Sequence, residues 1–461
     1  MQQNITPNAV TWCDELKFNR LHGFVVFIVG MIILSEGYGV LLMSVLIPGA
    51  MKEWSLTPVA AGALASYTFI GLLIGALGFG MLGDIIGRKN AMVLTVLTFP
   101  LFTGFSYWAP NFSSFVILRF LAGLGMGGTM PLAIALVSEY VPSKARARSV
   151  TTVFLGLPAG TIVAIICAMT ILPRFGWRSL LLIGFLVLIL IPIIMVYLPE
   201  PIRYLSQKQR YKQATRELRR LERAAGVAPL NWTTDSFALH VEAKASIKHL
   251  FTSNLARMTI LIWCVYIFDM LFLFGTQTWL PALFMKRGFG VVKSFSYALV
   301  LQVALALGTL LLGWVMDRFG RKQGLILCFI LGGLATCSFS VVHSNMGFYI
   351  VGAIWGLTGG ACVTGIQVLP GETYPTQLRS TGAGWAVAAG RAGAVAGPLL
   401  GGALLMAGFT FGQFFIMFAL PAFICAALVF FFPVNIKNES VETATGRLVG
   451  TIPAGEGGHT E

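Results

Sequence analysis

The chain has 461 residues, 56% of them hydrophobic and only 11% charged, with a formal net charge of +14. Soluble chains carry about 25% charged residues, and no water-soluble core of this size hides so much apolar sequence, which excludes an ordinary soluble globule. The positive charge does not point to nucleic acid either, because the basic residues sit in loops between apolar runs and form no single basic face.

In chain order, the first twenty residues carry Asp14, Glu15, Lys17 and Arg20 and no short apolar core ending in a small-residue cleavage site. No removable signal peptide is expected, so the first apolar run stays as a membrane span. Stretches long enough to cross roughly 30 Å of hydrocarbon as helix fall at 22–51, 59–83, 90–108, 112–141, 149–172, 178–198, 256–286, 292–316, 323–343, 346–370, 379–407 and 411–433. These are spans 1 to 12. Between spans 6 and 7, residues 199–254 hold ten Lys or Arg, including Arg216-Glu217-Leu218-Arg219-Arg220-Leu221-Glu222-Arg223, with the charge density of a short surface helix. The expected organisation is therefore 1–198 as a first six-helix bundle, 199–254 as a linker, 255–434 as a second bundle and 435–461 as a tail.

Cytoplasmic loops retain Lys and Arg. With the N-terminus inside, inner segments hold 24 of the 32 basic residues, outer loops 6 (Lys52, Arg174, Arg178, Lys286, Arg287, Lys293), and the spans the rest. Both termini are expected in the cytoplasm. Of the seven cysteines, Cys167, Cys264, Cys328, Cys337, Cys362 and Cys425 lie in apolar runs without CxxC or Cys/His spacing. They read as small core residues, and neither a disulfide nor a metal site is expected.

An internal repeat organises the rest. Gly83-Asp84-Ile85-Ile86-Gly87-Arg88-Lys89 returns as Met316-Asp317-Arg318-Phe319-Gly320-Arg321-Lys322, 233 residues on. The same offset maps Glu139 to Glu372, Pro142 to Pro375, Arg146 to Arg379, Pro48 to Pro281 and Glu36 to Asp269. Two six-span halves related by an axis along the membrane normal suit a rocking transporter with a midplane site.

The loop Gly80 to Lys89, with its echo at Gly313 to Lys322, resembles the loop signature of the major facilitator superfamily, which implies an all-α fold of twelve transmembrane helices in two pseudo-symmetric bundles. A narrower resemblance is to the aromatic acid:H⁺ symporter family and its benzoate and 4-hydroxybenzoate transporters. It is carried by Lys17-Phe18-Asn19-Arg20, by Glu36-Gly37-Tyr38-Gly39 in span 1, by Arg119 to Pro131 in span 4 and by Thr278-Trp279-Leu280-Pro281 at the end of span 7. That family usually shows Asp-Gly-aromatic-Asp in span 1, whereas here Glu36 takes the first acidic position and Gly39 the second. One proton per monovalent acid is expected in consequence.

An ionisable group inside a span costs at least about 2.5–3.5 kcal/mol, so it needs a partner or a task. Glu36 either couples protons or substrate, or is neutralised by a fixed partner or simply kept protonated. Arg119 occupies a position that the resemblance associates with proton coupling; its bland alternative is a helix-end arginine snorkelling to the interface. Arg391, near the middle of span 11, is a guanidinium able to grip a carboxylate with two hydrogen bonds, or a structural partner of Glu36 or Asp269. Asp269 is either a cavity-facing proton group or half of a salt bridge. Tyr38, Trp385 and Gln277 are the expected substrate contacts beside Arg391, offering aromatic faces and an amide. Asp84, Arg88, Asp317, Arg321, Glu139, Glu372, Arg146 and Arg379 form an expected gate network at the loop ends.

The expectation is a multi-pass protein of the bacterial inner membrane, a monomer embedded in lipid, importing a small aromatic carboxylate with protons. No cofactor is expected, and no Walker loop argues for ATP drive. The rivals are an exporter, a sugar-type porter or a transporter of another organic acid on the same fold, which the loop signature does not separate. A membrane enzyme would need a nucleophile–base pair, a metal cluster or a large soluble domain, and 199–254 has none.

Overall fold

The computed structural model describes residues 8–238, 247–252 and 255–432, apart from the side chains of Glu372, Thr376 and Gln377. The expected tail 435–461 and part of the linker lie outside the described residues. Among those described, eleven helices are long and apolar enough to cross a membrane. The remaining expected span, span 9, is the helix Arg321–Ser338, which is less apolar because Arg321, Lys322 and Gln323 occupy its first turn. Only helices satisfy their own backbone in hydrocarbon, and exposed apolar side chains such as Phe27, Met81, Ile117 and Leu186 form the surface that lipid would cover.

Two compact units emerge, Met1–Gly49 with Tyr67–Glu242, and Ala50–Ser66 with Ala243–Glu461. Apolar side chains gain little by leaving lipid for one another, so close backbone approach carries much of the packing. In the first unit Gly71 and Gly75 of span 2 face the carbonyls of Phe120 and Leu124, and Gly123 and Gly127 of span 4 face those of Thr68 and Leu72. Gly37 of span 1 meets Leu157 O, while Gly156 and Gly160 of span 5 meet Gly30 O and Leu34 O. The second unit repeats both contacts. Gly393 of span 11 lies on Ile267 O of span 7, and Gly308 of span 8 and Gly356 of span 10 lie on Leu357 O and Leu301 O.

The repeated loops end in the same backbone device. Gly87 and Gly320 have φ of 107° and 88°, a region that only glycine enters freely, and each leads directly into the helix begun by Arg88 or Arg321. Span 10 is not a continuous α-helix. After Asn345–Trp355 it widens into a π turn at Gly356–Gly360 and continues as Cys362–Gly365 and Val368–Thr373.

The linker contains the helix Tyr211–Ala225, which buries Ala214, Leu218 and Leu221 and ends on Gly226 in the left-handed conformation. Glu222 is buried with its charge met by Arg219 Nη1 at 2.9 Å, Leu230 N at 3.0 Å and Trp232 Nε1 at 2.8 Å.

A methyl group at position 127 has nowhere to go but into Leu72 O. Gly127→Ala is expected to push span 4 off span 2 and to cost about 1–3 kcal/mol, read as earlier thermal unfolding in detergent. Unchanged unfolding would show that the two backbones are free to separate.

Candidate functional site

The first unit holds a polar centre inside its helices. Glu36 is 2% exposed and accepts a hydrogen bond on Oε2 from the Thr129 hydroxyl of span 4. The same hydroxyl lies 2.6 Å from Met126 O, yet it has one hydrogen to give. If Thr129 donates to Met126 O, the contact with Glu36 needs a proton on the carboxyl group; if Glu36 is ionised, Thr129 turns to it. The pair therefore has two hydrogen-bonded arrangements differing by one proton. Gly39, at the second acidic position of the resemblance, offers no room. A Cβ there would stand 2.7 Å from both Met126 Sδ and Phe99 Cε2.

Arg119 is fully buried, which removes the snorkelling alternative. Its Nη1 donates to Thr103 Oγ1 at 3.1 Å, while Nε and Nη2 find no partner among the described residues. Tyr38 is also buried, and its hydroxyl donates to Leu180 O at 2.7 Å. Its hydroxyl proton is thus committed between spans 1 and 6.

In the second unit Asp269 is fully buried and neither carboxyl oxygen has a hydrogen-bond partner among the described residues, so no salt bridge with Arg391 is present. Cys362 and Cys425 are its neighbours, and one turn earlier on span 7 Tyr266 donates its hydroxyl to Ile366 O of span 10 at 3.3 Å. Arg391 is partly buried midway along Thr376–Met406. The adjoining Gly390 brings that helix to within 3.2–3.3 Å of Met270 and Tyr266, measured to an ideal Cβ. Gln277 accepts from Gln302 Nε2 of span 8 at 3.2 Å. Trp385, 40% exposed, stacks on Trp263 of span 7 with ring centroids 6.2 Å apart and planes at 23°.

The repeated loops differ in how their charges are met. Arg88 bonds Asp84 at 2.6 Å and Glu139 at 3.3 Å, a cation held between two carboxylates. Sequence reasoning missed Glu200, placed between Pro199 and Pro201 after span 6. Its Oε1 accepts from Arg88 N at 2.5 Å and Lys89 N at 3.4 Å, an acid on the N-terminus of span 3. The only available signal was an acidic residue between two prolines at a span end. Tyr204 supports the same corner, donating to Ile85 O at 2.9 Å with its ring 5.7 Å from the Arg88 guanidinium. Arg146 does not join Glu139; it pairs with Asp14 in the N-terminal helix Ala9–Glu15. In the second copy Asp317 is exposed and makes no ion pair with a described residue, and Arg379 Nε is buried without a hydrogen bond among them. The Glu372 side chain is outside the described residues.

Repeated helical halves with ionisable groups buried in spans 1, 4 and 7 define a secondary transporter. The family described as "Sugar (and other) transporter" matches residues 23–446, and this chain belongs to it, within the major facilitator superfamily. It is a transporter and not an enzyme. The chain is 31% identical to the niacin transporter NiaP of Acinetobacter baylyi over 95% of its own length and 99% of the relative's. It is 30% identical to the benzoate transport protein of the same organism, over 93% of each, and 31% identical to the 4-hydroxybenzoate transporter PcaK of Pseudomonas aeruginosa, over 88% and 91%. In fold it is similar to the xylose transporter XylE of E. coli, with a TM-score of 0.71 and 17% identity, over 91% of this chain and 98% of that one.

Burial pushes the Glu200 carboxyl up to about 7, against the opposing pull of its backbone donors and Arg88. The folded chain therefore keeps this proton at pH values where the unfolded chain has lost it, so stability falls as pH rises from about 4.5 to about 7. Glu200→Gln should remove that slope. Relative to the variant, the wild type is expected to lose up to about 3 kcal/mol across this window, measured as denaturation midpoints in detergent. Parallel curves would show that Glu200 is ionised throughout.

Proposed function

We propose that the protein imports a small aromatic carboxylate together with protons, by alternating access between the halves 1–198 and 255–434 joined by the linker 199–254. The observation that carries the substrate class is the set of relatives. Niacin, benzoate and 4-hydroxybenzoate each place a carboxyl group on an aromatic ring, and the chains named for them match this one over nearly its whole length.

In this reading Arg391 grips the carboxylate through its planar fork, while Trp385, Tyr38 and Gln277 serve the ring and its substituents. Glu36, Arg119 and Asp269 form the proton-coupling set. The two arrangements of Glu36 with Thr129 support this role, because one proton switches the direction of a buried hydrogen bond. Asp84, Arg88, Glu139 and Arg146, with Asp317, Arg321, Glu372 and Arg379 of the second copy, act as the gate that distinguishes the two access states. The distribution of Lys and Arg supports a bacterial inner-membrane protein with both termini in the cytoplasm. It works as a monomer with no cofactor and no nucleic-acid partner.

Proteoliposomes given an inward pH gradient and labelled benzoate, 4-hydroxybenzoate or nicotinate test the assignment. Arg391→Ala is expected to lower uptake about a hundredfold, as removal of one partner of a desolvated charge pair does. Arg391→Lys should fall between, since a point charge does not reproduce the fork. Uptake of none of these acids would sink the substrate class, and normal uptake by Arg391→Ala would sink the anchor.

With Gly39 in place of a second span-1 acid, one proton accompanies each monovalent acid and no net charge moves. A second proton would instead gain about 2.3 kcal/mol per 100 mV. A potassium-diffusion potential at equal internal and external pH should therefore drive little uptake. Thr129→Val, which removes the hydroxyl from Glu36, should impair pH-driven accumulation more than exchange of internal for external substrate. Strong uptake under potential alone would overturn the stoichiometry, and equal loss of both activities would overturn the role of the Glu36–Thr129 pair.

A further inference from the structure

We propose that the first unit binds the phosphate headgroup of an anionic phospholipid, in a pocket of about 600 Å³ between the end of span 6 and the linker helix Tyr211–Ala225. The pocket is lined by Lys89, Arg216, Arg220 and Arg223, by a single acid, Glu217, and by Met195 and Val196.

The three arginines lie four and three residues apart, so they form one stripe along the helix, with Ala214, Leu218 and Leu221 buried on its other side. The pocket's own acid satisfies them poorly. Arg220 Nη1 stands 3.8 Å from Glu217 Oε2, which accepts no hydrogen bond among the described residues. Arg223 donates from Nε to Arg219 O at 3.2 Å and makes no ion pair with a described residue. Lys89 Nζ donates to Met195 O at 2.6 Å, so its charge is held at the mouth of the pocket. Glu200 approaches Lys89 through the backbone N–H and does not line the pocket. Several guanidinium forks facing one concavity are suited to a phosphate, which accepts bidentate hydrogen bonds from each.

A free inorganic anion would need only the cations. The remaining wall points to a lipid, because Met195 and Val196 are 59% and 65% exposed at the last turn of a membrane span. They offer a diacyl chain an apolar path directly beside the phosphate site. A basic pocket at the end of transmembrane helices is the arrangement that recognises anionic headgroups. The inference is independent of which substrate the protein carries.

The test uses the full chain purified in a non-ionic detergent and examined by native mass spectrometry. Dioleoylphosphatidylglycerol, dioleoylphosphatidylcholine and inorganic phosphate are added in separate titrations. The expected result is a saturable adduct with phosphatidylglycerol, favoured over phosphatidylcholine by about tenfold. The triple variant Arg216→Gln, Arg220→Gln, Arg223→Gln should lose that preference, whereas Lys208→Gln, Arg210→Gln, Lys212→Gln, an equal loss of charge on the same linker, should stay within about twofold of wild type. The single variant Arg220→Gln, checked for unchanged thermal unfolding in phosphatidylcholine, should weaken the adduct by about threefold or more and guards against a folding defect in the triple. Absence of a headgroup preference, or equal weakening in both triple variants, overturns the proposal. Displacement of the lipid by millimolar inorganic phosphate overturns it in favour of a free-anion site.

Discussion

The polar groups buried within the spans depend on how closely the helix backbones approach one another. Gly71 and Gly75 against span 4, and Gly123 and Gly127 against span 2, leave no space for a Cβ, and the glycines of spans 1, 5, 7 and 11 do the same. Helices packed this tightly exclude water and lipid from the interior. A hydroxyl such as Thr129 or Thr103 is then the partner within reach of a buried charge. The same closeness makes Glu36 and Arg119 tolerable, since each finds at least one hydrogen bond on a neighbouring span. Asp269, in the corresponding place of the second unit, finds none among the described residues. The repeat is thus symmetric in backbone and asymmetric in electrostatics.

The asymmetry extends to the loops. Arg88 sits between Asp84 and Glu139, with Glu200 binding its backbone from the end of span 6, so the first loop is tied to three helices at once. Asp317 stands exposed without an ion pair to a described residue. One sequence motif therefore holds its aspartate in an ion pair in one unit and leaves it exposed in the other. The surrounding sequence differs as well: Pro199-Glu200-Pro201 has no acidic counterpart 233 residues on, where the chain reads Pro433-Val434.

Span positions were legible because hydrocarbon imposes one simple demand, a long apolar run, and most boundaries came within a few residues. The positive φ at Gly87 and Gly320 was implicit in the repeat, since two copies of one loop need the same turn. Partners were not legible. Nothing in Thr129 or Thr103 distinguishes them from other threonines until helix rotation is known. The placing of Arg146 on Asp14, more than a hundred residues earlier, depends on a short N-terminal helix outside the membrane pattern. The π turn at Gly356–Gly360 was hidden for a related reason: extra glycine permits a wider turn but does not require one, and the close neighbours of Gly356 and Gly359, Leu301 and Phe272, are distant in sequence.

The packing around Gly39 constrains what span 1 can carry. The volume a carboxylate would occupy is filled from two sides, by Met126 of span 4 and Phe99 of span 3. A single substitution to aspartate would press an added side chain into a packed core and leave its charge beside a thioether and an aromatic edge. An acid at position 39 therefore requires Met126 or Phe99 to move aside, and truncating either residue to make room would open a cavity of its own. Which side chain span 1 admits at this position is thus set by spans 3 and 4 as much as by span 1 itself.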